Sequence, residues 1–449
     1  MCASRRGQCS PSERRARFLA HHDALTNLAN RTRLAQAIEK ALVETRQGQA
    51  NFYLLALDLD GFKGVNDTYG HHTGDALLKI IANRLLKIFR DDDLVARLGG
   101  DEFPVIIRQC PSAETVAEIA SRTIAAIEQP VIIGNNTIHV STSIGIAESP
   151  KDGMTLQDVL RCADVALYEA KAAGRRAFCF FAAEMDEMLL HRRRLEAGLR
   201  QTMEAQNLEL HFQPQVDLES GHIFGVEALV RWTDPALGQV APGTFLDIAS
   251  QTGLIFDLGS WVMEKACRSA VSWARRGLTP QLAINVSPKQ LFHRDFLTIL
   301  DSILMTTGFP ARQLTLEITE DAMVGNDEAA LETLMSLRQR GITLAIDDFG
   351  TGYSNLGYLK RLPITYLKID RTFVKDIESD ASDRAIISGI INLASSLGLK
   401  TIAEGIETEE QCAFLLESNC KMAQGFLFQQ SRYPNRSCCR LSGMARPCK

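Results

Sequence analysis

Several features that define large protein classes are missing from this 449-residue chain. No apolar run reaches the roughly 18 to 20 residues that a membrane-spanning helix needs, so we expect no membrane span. Residues 1–17 are polar and contain no apolar stretch of the kind found in secretory signals. A basic excess is also missing, because the formal net charge is −5 at pH 7. The composition therefore argues against a nucleic-acid partner.

Cysteine is present but shows no pairing pattern. The eleven cysteines are an odd number, and no two of them are separated by two residues. This pattern favours free thiols in a reducing compartment, so we expect a cytoplasmic protein. Apolar residues make up 45% and charged residues 23% of the chain, as in globular proteins, which excludes a disordered or collagen-like chain.

Composition and periodicity divide the chain into segments. Residues 1–20 form a polar lead-in, and residues 21–182 mix strand and helix patterns in a way that predicts an α+β domain. The charged stretch 183–203 predicts a helical connector. Residues 204–428 alternate short apolar strands with helical stretches, which predicts a (β/α)₈ barrel. Residues 429–449 lack apolar periodicity, and we interpret this atypical tail as an off-frame or replaced end, with a lineage-specific tail as the alternative.

Strand positions follow from short apolar runs. In the first domain a buried strand is predicted over 52–60, and two strands over 94–98 and 103–107 enclose a glycine-containing turn. Because Pro104 has no backbone N–H, we expect the exit from this hairpin to be distorted. The eight barrel strands are predicted over 208–216, 223–230, 282–286, 314–318, 343–346, 366–369, 401–403 and 425–428.

A first group of acids lies at strand ends of the α+β domain. Asp58 ends the strand over 52–60, and Asp101 and Glu102 occupy the turn of the hairpin. Carboxylates in such positions can bind Mg²⁺ and leave coordination sites for substrate phosphates, as phosphoryl transfer requires. Each acid taken alone is equally typical of a solvated turn.

Three blocks of this domain, at 23–31, 58–67 and 97–103, resemble the GGDEF family of diguanylate cyclases. The resemblance implies a domain that condenses two GTP molecules into cyclic-di-GMP. It implies that Asp58 and Asp101 bind Mg²⁺ or Mn²⁺, and that Glu102 lies beside them at the reacting 3′-hydroxyl or the metal. Because two GTP molecules react with each other, we expect a homodimer with two-fold symmetry.

The same resemblance implies the residues that hold GTP. Asn66 and Asp75 correspond to positions that bind the guanine base. Lys63, Lys171 and Arg175 correspond to positions that face the phosphates, the last two within a matching block at 168–175.

An Arg-x-x-Asp sequence lies five residues before the hairpin glycines. It resembles the inhibitory site of the GGDEF family, in which Arg90 and Asp93 would bind the cyclic-di-GMP product. A solvated charge run after a helix is the alternative interpretation.

A second group of polar side chains lies mostly at or just past the carboxyl ends of the predicted barrel strands, although Glu227 sits within its strand and Gln424 precedes the last one. Because the carboxyl ends of barrel strands converge on one face, we expect these side chains to lie close together. Several converging acids repel one another unless divalent cations neutralise them, and two cations suit the hydrolysis of a phosphodiester. The residues are Glu227, Asn285, Glu317, Asp347, Asp348, Lys368, Asp370, Glu404 and Gln424.

The blocks that carry these residues resemble the EAL family of cyclic-di-GMP phosphodiesterases. They are 213–215, 227–232, 285–287, 317–320, 347–352, 368–370, 404–408 and 424–426. The resemblance covers about 204–428 and implies hydrolysis of cyclic-di-GMP to linear pGpG. It also implies that Glu320 anchors the loop after Asp348.

The EAL resemblance assigns the remaining roles. One metal ion is held by Glu227, Asn285, Glu317 and Asp347. The second lies near Asp347, Asp370 and Glu404, with Asp348 in the same cluster. Lys368 positions or deprotonates the attacking water. Substrate contacts, or ordering of the site, fall to Gln213, Arg231 and Gln424.

Three functions agree with these resemblances. In the first, the barrel hydrolyses cyclic-di-GMP and the GGDEF domain also synthesises it from GTP. In the second, the GGDEF domain only binds GTP and regulates the phosphodiesterase. In the third, neither domain turns over and the chain is a cyclic-di-GMP-binding scaffold. We expect hydrolysis first, with synthesis as a second activity.

Overall fold

The computed structural model describes residues 18–48, 50–110, 112–320, 327–350 and 359–429. The chain forms two compact units, the first ending at His191 and the second beginning at Arg192. Almost all of the predicted lead-in and tail lie outside the described residues. Among the described helices, none combines the length and apolar character that crossing a bilayer requires.

The first unit is built on a five-stranded sheet with strand order β2-β3-β1-β6-β7. The sheet strands are β1 (Phe52–Asp60), β2 (Leu94–Val95), β3 (Val105–Arg108), β6 (Ser141–Ser149) and β7 (Phe178–Phe180), and a separate hairpin is formed by β4 (Val131–Ile133) and β5 (Asn136–Ile138). The helices are α1 (Arg31–Arg46), α2 (Phe62–Tyr69), α3 (His71–Ile88), α4 (Ala113–Ile127) and α5 (Leu156–Ala172). The next helix, α6 (Ala183–Glu204), begins in the first unit and ends in the second.

Strand β1 lies between β3 and β6 and is covered on both faces. Its side chains alternate, so that Tyr53 and Leu55 belong to one apolar core and Phe52 and Leu54 to the other. This alternation is the two-residue period of a strand. It places the carboxyl end of β1, with Asp58, at the edge where the hairpin turn also lies.

The hairpin strands are shorter than predicted. They cover only Leu94–Val95 and Val105–Arg108, and isolated bridges join Glu102 to Asp58 and to Gly99. Pro104 explains the interruption, because it cannot donate a ladder hydrogen bond, although its carbonyl accepts one from the N–H of Ala96 at 2.9 Å. The expected distortion of the hairpin exit is confirmed.

The second unit is an eight-stranded barrel. Its strands follow the order β9-β11-β12-β13-β14-β15-β16-β8, a β8–β9 pairing closes the ring, and β10 extends β9 at one edge. The strands are β8 (Glu209–Asp217), β9 (Ile223–Asp234), β10 (Gly238–Val240), β11 (Gln281–Asn285), β12 (Leu314–Thr319), β13 (Thr343–Phe349), β14 (Tyr366–Ile369), β15 (Lys400–Ala403) and β16 (Met422–Gln424). The surrounding helices are α7 (Pro242–Thr252), α8 (Ile255–Ala274), α9 (Pro288–Leu291), α10 (Phe296–Thr307), α11 (Asp327–Gln339), α12 (Arg371–Lys375), α13 (Ala381–Ser396) and α14 (Glu409–Glu417).

One barrel strand reverses the expected direction. Strand β8 runs antiparallel to both β9 and β16, whereas the pairs from β9 and β11 through β16 are parallel. Only a tight turn over 218–222 connects β8 to β9, and a parallel pair needs a longer crossover. The predicted barrel is therefore confirmed with this one antiparallel strand.

The last predicted strand is wrong. The run 425–428 was expected to form it, but the strand is Met422–Gln424 and a 3₁₀ turn follows over Phe426–Gln429. Gly425 explains the change of direction, because a Cβ there would lie 2.1 Å from the carbonyl oxygen of Ile406. Such close backbone contact leaves room for glycine alone.

Candidate active sites

The barrel gathers its acids from strands that are distant in sequence. Carboxylate oxygens of Glu227, Glu317 and Asp347 lie within 4.8 Å of one another, and so do those of Asp347, Asp348 and Glu404. The two groups share Asp347. Oxygen donors in this arrangement fit two neighbouring hard divalent cations such as Mg²⁺ or Mn²⁺.

Lys368 lies inside this acid cluster. Its Nζ is 2.7 Å from Glu317, 2.6 Å from Glu404, 3.1 Å from Asp347 and 3.5 Å from Glu227, and its side chain is 1% exposed. Burial by itself lowers the pKa of Lys368, but the surrounding carboxylates outweigh burial and hold that pKa above its usual value. The ammonium is therefore charged and neutralises part of the cluster.

Two amide side chains predicted for the site donate hydrogen bonds to Glu227. The Nδ2 of Asn285 donates to Glu227 Oε1 and the Nε2 of Gln424 donates to Glu227 Oε2, both at 2.5 Å. Gln424 Nε2 also donates to Gln213 Oε1 at 3.0 Å. Burial raises the pKa of Glu227, but Lys368 and these amides reverse the effect and lower it. Glu227 is thus held as a carboxylate.

Gln215, for which the sequence predicted no role, belongs to the same cluster. Its Nε2 donates to Glu317 Oε1 at 3.3 Å and to Gln424 Oε1 at 3.2 Å. A Cβ on Gly225 would lie 2.6 Å from Gln215 Oε1, so this glycine leaves space for the amide. The sequence does contain a signal for Gln215: side chains two residues apart in a strand lie on the same face, so Gln215 lies on the face of Gln213.

The outer acids differ in their protonation. Burial, with a smaller contribution from Asp347, raises the pKa of Glu404 to about 7 even though Lys368 opposes it. Desolvation and the charges of Asp347 and Asp370 raise the pKa of Asp348 to about 6. For Asp370, burial raises the pKa, but hydrogen bonds from Thr372 lower it overall. Two of these carboxyls are therefore partly protonated near neutral pH.

Several motif blocks end in helix caps, which explains part of their composition. Ser287 caps α9, Asp370 caps α12 and Thr408 caps α14, each by accepting a backbone N–H of the first turn. These caps begin the helices directly after β11, β14 and β15. The caps fix how each strand end enters its helix, and with it the direction of the neighbouring site residue.

The other two residues predicted for this site lie at its edges. Glu320 Oε2 accepts a hydrogen bond at 3.2 Å from the N–H of Gly350, the residue that directly follows β13. Arg231, on β9 beyond Glu227, donates to the carbonyl oxygen of Val230 at 2.9 Å.

In the first unit, β1 and the hairpin turn bring three predicted residues together. Lys171 Nζ lies 2.7 Å from Asp58 Oδ1. Burial and the negative charge of Asp58 raise the pKa of Asp101. Glu102 is exposed and forms a backbone bridge with Asp58. Two acids and a lysine thus surround one strand end.

The hairpin turn is held by two residues for which the sequence predicted no role, Arg97 and Asp23. Arg97 donates from Nε and Nη2 to the carbonyl oxygen of Gly100, at 3.1 and 2.8 Å, and from Nη1 to Asp23 Oδ1 at 2.9 Å. Asp23 also accepts from the N–H and the hydroxyl of Thr26. Gly100 itself has a φ of 52°, which favours glycine.

The predicted guanine-binding residues lie on adjacent helices. Asn66 is in α2, and the exposed Asp75 follows Gly74 near the start of α3. A Cβ on Gly74 would lie 2.0 Å from Asn66 Oδ1, so the glycine makes room for this amide. Lys63 is exposed on α2. Arg175 follows α5, with its Nε 3.8 Å from Asp60 Oδ1.

The predicted inhibitory residues line a separate cavity of about 380 Å³ in the first unit. Asp93 accepts from the N–H of Arg90 at 2.9 Å and from the N–H of Arg108 at 3.3 Å. The cavity walls also include Glu44 and Gln109. Arg90 and Asp93 are therefore in one place, next to a second arginine.

Clustered acids at the carboxyl ends of barrel strands are typical of a metal-dependent enzyme site. Two family models match: the EAL domain over residues 196–431, and the diguanylate cyclase GGDEF domain over residues 20–177. The chain belongs to the EAL family and carries the GGDEF and EAL domains in tandem.

Curated relatives resemble nearly the whole chain. The bifunctional diguanylate cyclase/cyclic di-GMP phosphodiesterase MucR of Pseudomonas aeruginosa is 42% identical over 410 residues, which are 91% of this chain and 60% of MucR. The cyclic di-GMP phosphodiesterase PdeR of Escherichia coli is 36% identical over 417 residues, 93% of this chain and 62% of PdeR. The chain thus spans about three-fifths of the length of these relatives.

Solved structures agree with both domains. The structure of the PaMucR phosphodiesterase in complex with c-di-GMP is 42% identical, covers 53% of this chain and 96% of its own, and has a TM-score of 0.51. The S helix-GGDEF-EAL part of Vibrio cholerae LapD covers 93% of this chain and 98% of its own at a TM-score of 0.55. At 21% identity, the likeness to LapD concerns the fold alone.

Proposed function

We propose that the barrel hydrolyses cyclic-di-GMP to linear pGpG in the presence of Mg²⁺ or Mn²⁺. The observation that carries the proposal is the pair of carboxylate groups that share Asp347 and enclose Lys368. The PaMucR phosphodiesterase, which was solved with c-di-GMP, is similar over this part of the chain. Bound cations supply an activated water and neutralise the charge that develops at phosphorus.

The chain's own residues then have these tasks. Glu227, Asn285, Glu317 and Asp347 hold one cation, and Asp347, Asp348, Asp370 and Glu404 hold the second. Lys368, held as an ammonium, orients the attacking water and stabilises its deprotonated form by charge; it does not itself accept the proton. Gln213, Arg231 and Gln424 contact the substrate or order the site, and Glu320 anchors the loop after Asp348.

The test is chromatography of nucleotides after the purified chain has been incubated with cyclic-di-GMP and Mg²⁺. We expect pGpG to form, and to stop forming when EDTA is added. If cyclic-di-GMP stays intact while it binds, the chain is a scaffold, and the hydrolytic proposal is wrong.

For the first unit we propose GTP binding and the condensation of two GTP molecules into cyclic-di-GMP. The supporting observation is the cluster of Asp58, Asp101 and Lys171 at the end of β1. In this proposal Asp58 and Asp101 hold the cation and Glu102 lies at the 3′-hydroxyl. Condensation needs two units facing each other, so the active species is a homodimer.

Further residues of the first unit have a place in the same proposal. Asn66 and Asp75 bind guanine, and Lys63, Lys171 and Arg175 bind the phosphates. Arg90 and Asp93 bind the product at the separate cavity.

The second candidate, a GTP-binding regulatory domain without synthesis, is distinguished by incubation with GTP and Mg²⁺. Binding without new cyclic-di-GMP favours regulation.

The nucleotides involved, and the free thiols of the described cysteines, favour a cytoplasmic location.

A further inference from the structure

Asp60 is a second acid at the end of β1 that the proposed chemistry does not use. It lies two residues after Asp58, and its side chain is only 9% exposed. The hydroxyl of Ser143, on the neighbouring strand β6, donates to Asp60 Oδ1 and Oδ2 at 3.0 Å each. Ser143 is fully buried. A carboxylate held this tightly has a fixed orientation.

The turn after α5 is held by backbone hydrogen bonds to the helix end and by one external partner. Gly174, Arg175 and Arg176 have φ angles of 118°, 65° and 53°. Left-handed backbone is uncommon for residues other than glycine, and two consecutive ones persist only where the surroundings hold them. The N–H of Arg176 donates to Asp60 Oδ2 at 3.3 Å, so Asp60 supplies that partner.

Asp60 also pairs with the side chain in this turn. Its Oδ1 lies 3.8 Å from Nε of Arg175, whose side chain is 63% exposed. No other ion pair of Arg175 is found within the described residues. At 3.8 Å this is an ion pair without a hydrogen bond, so it is the charge of Asp60 that draws the guanidinium of Arg175 toward this side of the turn. Lys171, four residues earlier, pairs instead with Asp58 at 2.7 Å.

We propose that Asp60 is a positioning residue that orients Arg175 toward the phosphates of GTP. It acts through the Arg176 N–H, which helps to hold the turn, and through its negative charge, which attracts the guanidinium of Arg175. An arginine binds phosphate through a planar set of donors, and its long side chain loses rotamer freedom when it binds. Prior orientation by Asp60 reduces that loss. The proposal rests on the proposed GTP binding of the first unit.

The experiment measures binding of a GTP analogue with an α,β-methylene bridge, which cannot condense, to the full chain in Mg²⁺ by titration calorimetry. We expect Asp60→Asn, which keeps an acceptor for the Arg176 N–H but removes the charge, to weaken binding about two- to fivefold, the range for one mostly exposed ion pair. Asp60→Ala should weaken it further. Binding of GMP, which offers fewer phosphates, should change less than binding of the triphosphate.

A double-mutant cycle separates positioning from general structural damage. If Asp60 acts through Arg175, Asp60→Asn should weaken binding in the wild-type background and have almost no further effect in Arg175→Ala. The matched control is Asp152→Asn. Asp152 also accepts a backbone N–H, that of Glu148 at 2.7 Å, but at the opposite end of β6 from Ser143. We expect this control to leave binding unchanged.

The outcomes distinguish this inference from the function on which it rests. If the wild-type chain does not bind the analogue, the GTP-binding proposal fails and the role of Asp60 fails with it. If the wild-type chain binds and Asp60→Asn binds equally well, only the role of Asp60 is overturned. Equal losses in the wild-type and Arg175→Ala backgrounds also overturn it, because they indicate a structural effect that is independent of Arg175.

Discussion

Lys368 Nζ lies 2.6 Å from Glu404 Oε1 in the barrel; Lys368 is on β14, and Glu404 directly follows the neighbouring strand β15. The same ammonium contacts three further carboxylates. A buried positive charge among acids makes up for part of their mutual repulsion when the cluster is free of metal. Beside its proposed role in the reaction, Lys368 therefore has a second expected role, in the stability of the site.

Replacing Lys368 separates these roles. Lys368→Met should abolish hydrolysis and, in EDTA, destabilise the barrel by about 3 to 5 kcal/mol, because it leaves buried carboxylates unpaired. Excess Mg²⁺ should recover part of that stability, since cations replace the lost charge. Thermal unfolding with EDTA and with Mg²⁺ measures both effects. A variant that unfolds like the wild type in EDTA contradicts the stabilising role.

Glu227 is the acid with the most described partners in the cluster. Glu227→Ala removes a charged oxygen donor and the acceptor of the Asn285 and Gln424 amides, so hydrolysis should fall at least roughly 100-fold. The assay is pGpG formation at saturating Mg²⁺. The matched control is Glu219→Gln, since Glu219 is an exposed glutamate whose partner is Lys421. Wild-type turnover by Glu227→Ala would remove it from the site.

Metal affinity of the barrel should depend on pH. The pKa of Glu404 is raised to about 7 and that of Asp348 to about 6, so both carboxyls are partly protonated in the metal-free site. Protons compete with cations for the same oxygens, and affinity therefore falls as the pH drops below these values. Calorimetric titration with Mg²⁺ between pH 5.5 and pH 8 should show tighter binding at higher pH. Constant affinity over this range would contradict the raised pKa values.

Gly425 tests the end of the barrel. A Cβ at this position meets the backbone of Ile406 at 2.1 Å, so Gly425→Ala should destabilise the second unit by about 1 to 3 kcal/mol. The control is Gly389→Ala in α13, where the added Cβ meets nothing within 4 Å. That variant should be neutral or slightly more stable, because alanine favours helices. Urea unfolding measures the stability of both variants. If Gly425→Ala is as stable as Gly389→Ala, the close contact between residue 425 and the backbone of Ile406 is contradicted.

Synthesis by the first unit should depend on protein concentration. Two GTP molecules must meet across two units, so activity per molecule should rise with concentration until the dimer is saturated. Cyclic-di-GMP formation is followed in Glu227→Ala, whose phosphodiesterase is disabled. Constant specific activity from a monomeric species would contradict a shared site.

The sequence by itself determined the elements whose signal is local. The continuous apolar run over 52–60, which ends in acids, became β1, and the acids of the barrel strands came together because parallel strands end on one face. Such patterns depend on periods of two or of about 3.6 residues, which can be read along a single chain. The two family resemblances, carried by the motif blocks, had the same local origin.

Only the tertiary structure decided contacts that depend on register and close approach. Gln215 reaches Gln424, 209 residues away, because closure of the barrel pairs β8 with β16. Gly425 ends the last strand because the backbone of Ile406 comes within 3 Å of where a Cβ would be. Asp60 reaches Arg176 across 116 residues. Each contact joins segments whose distance in space is set by the packing of all the elements between them, which no local pattern encodes.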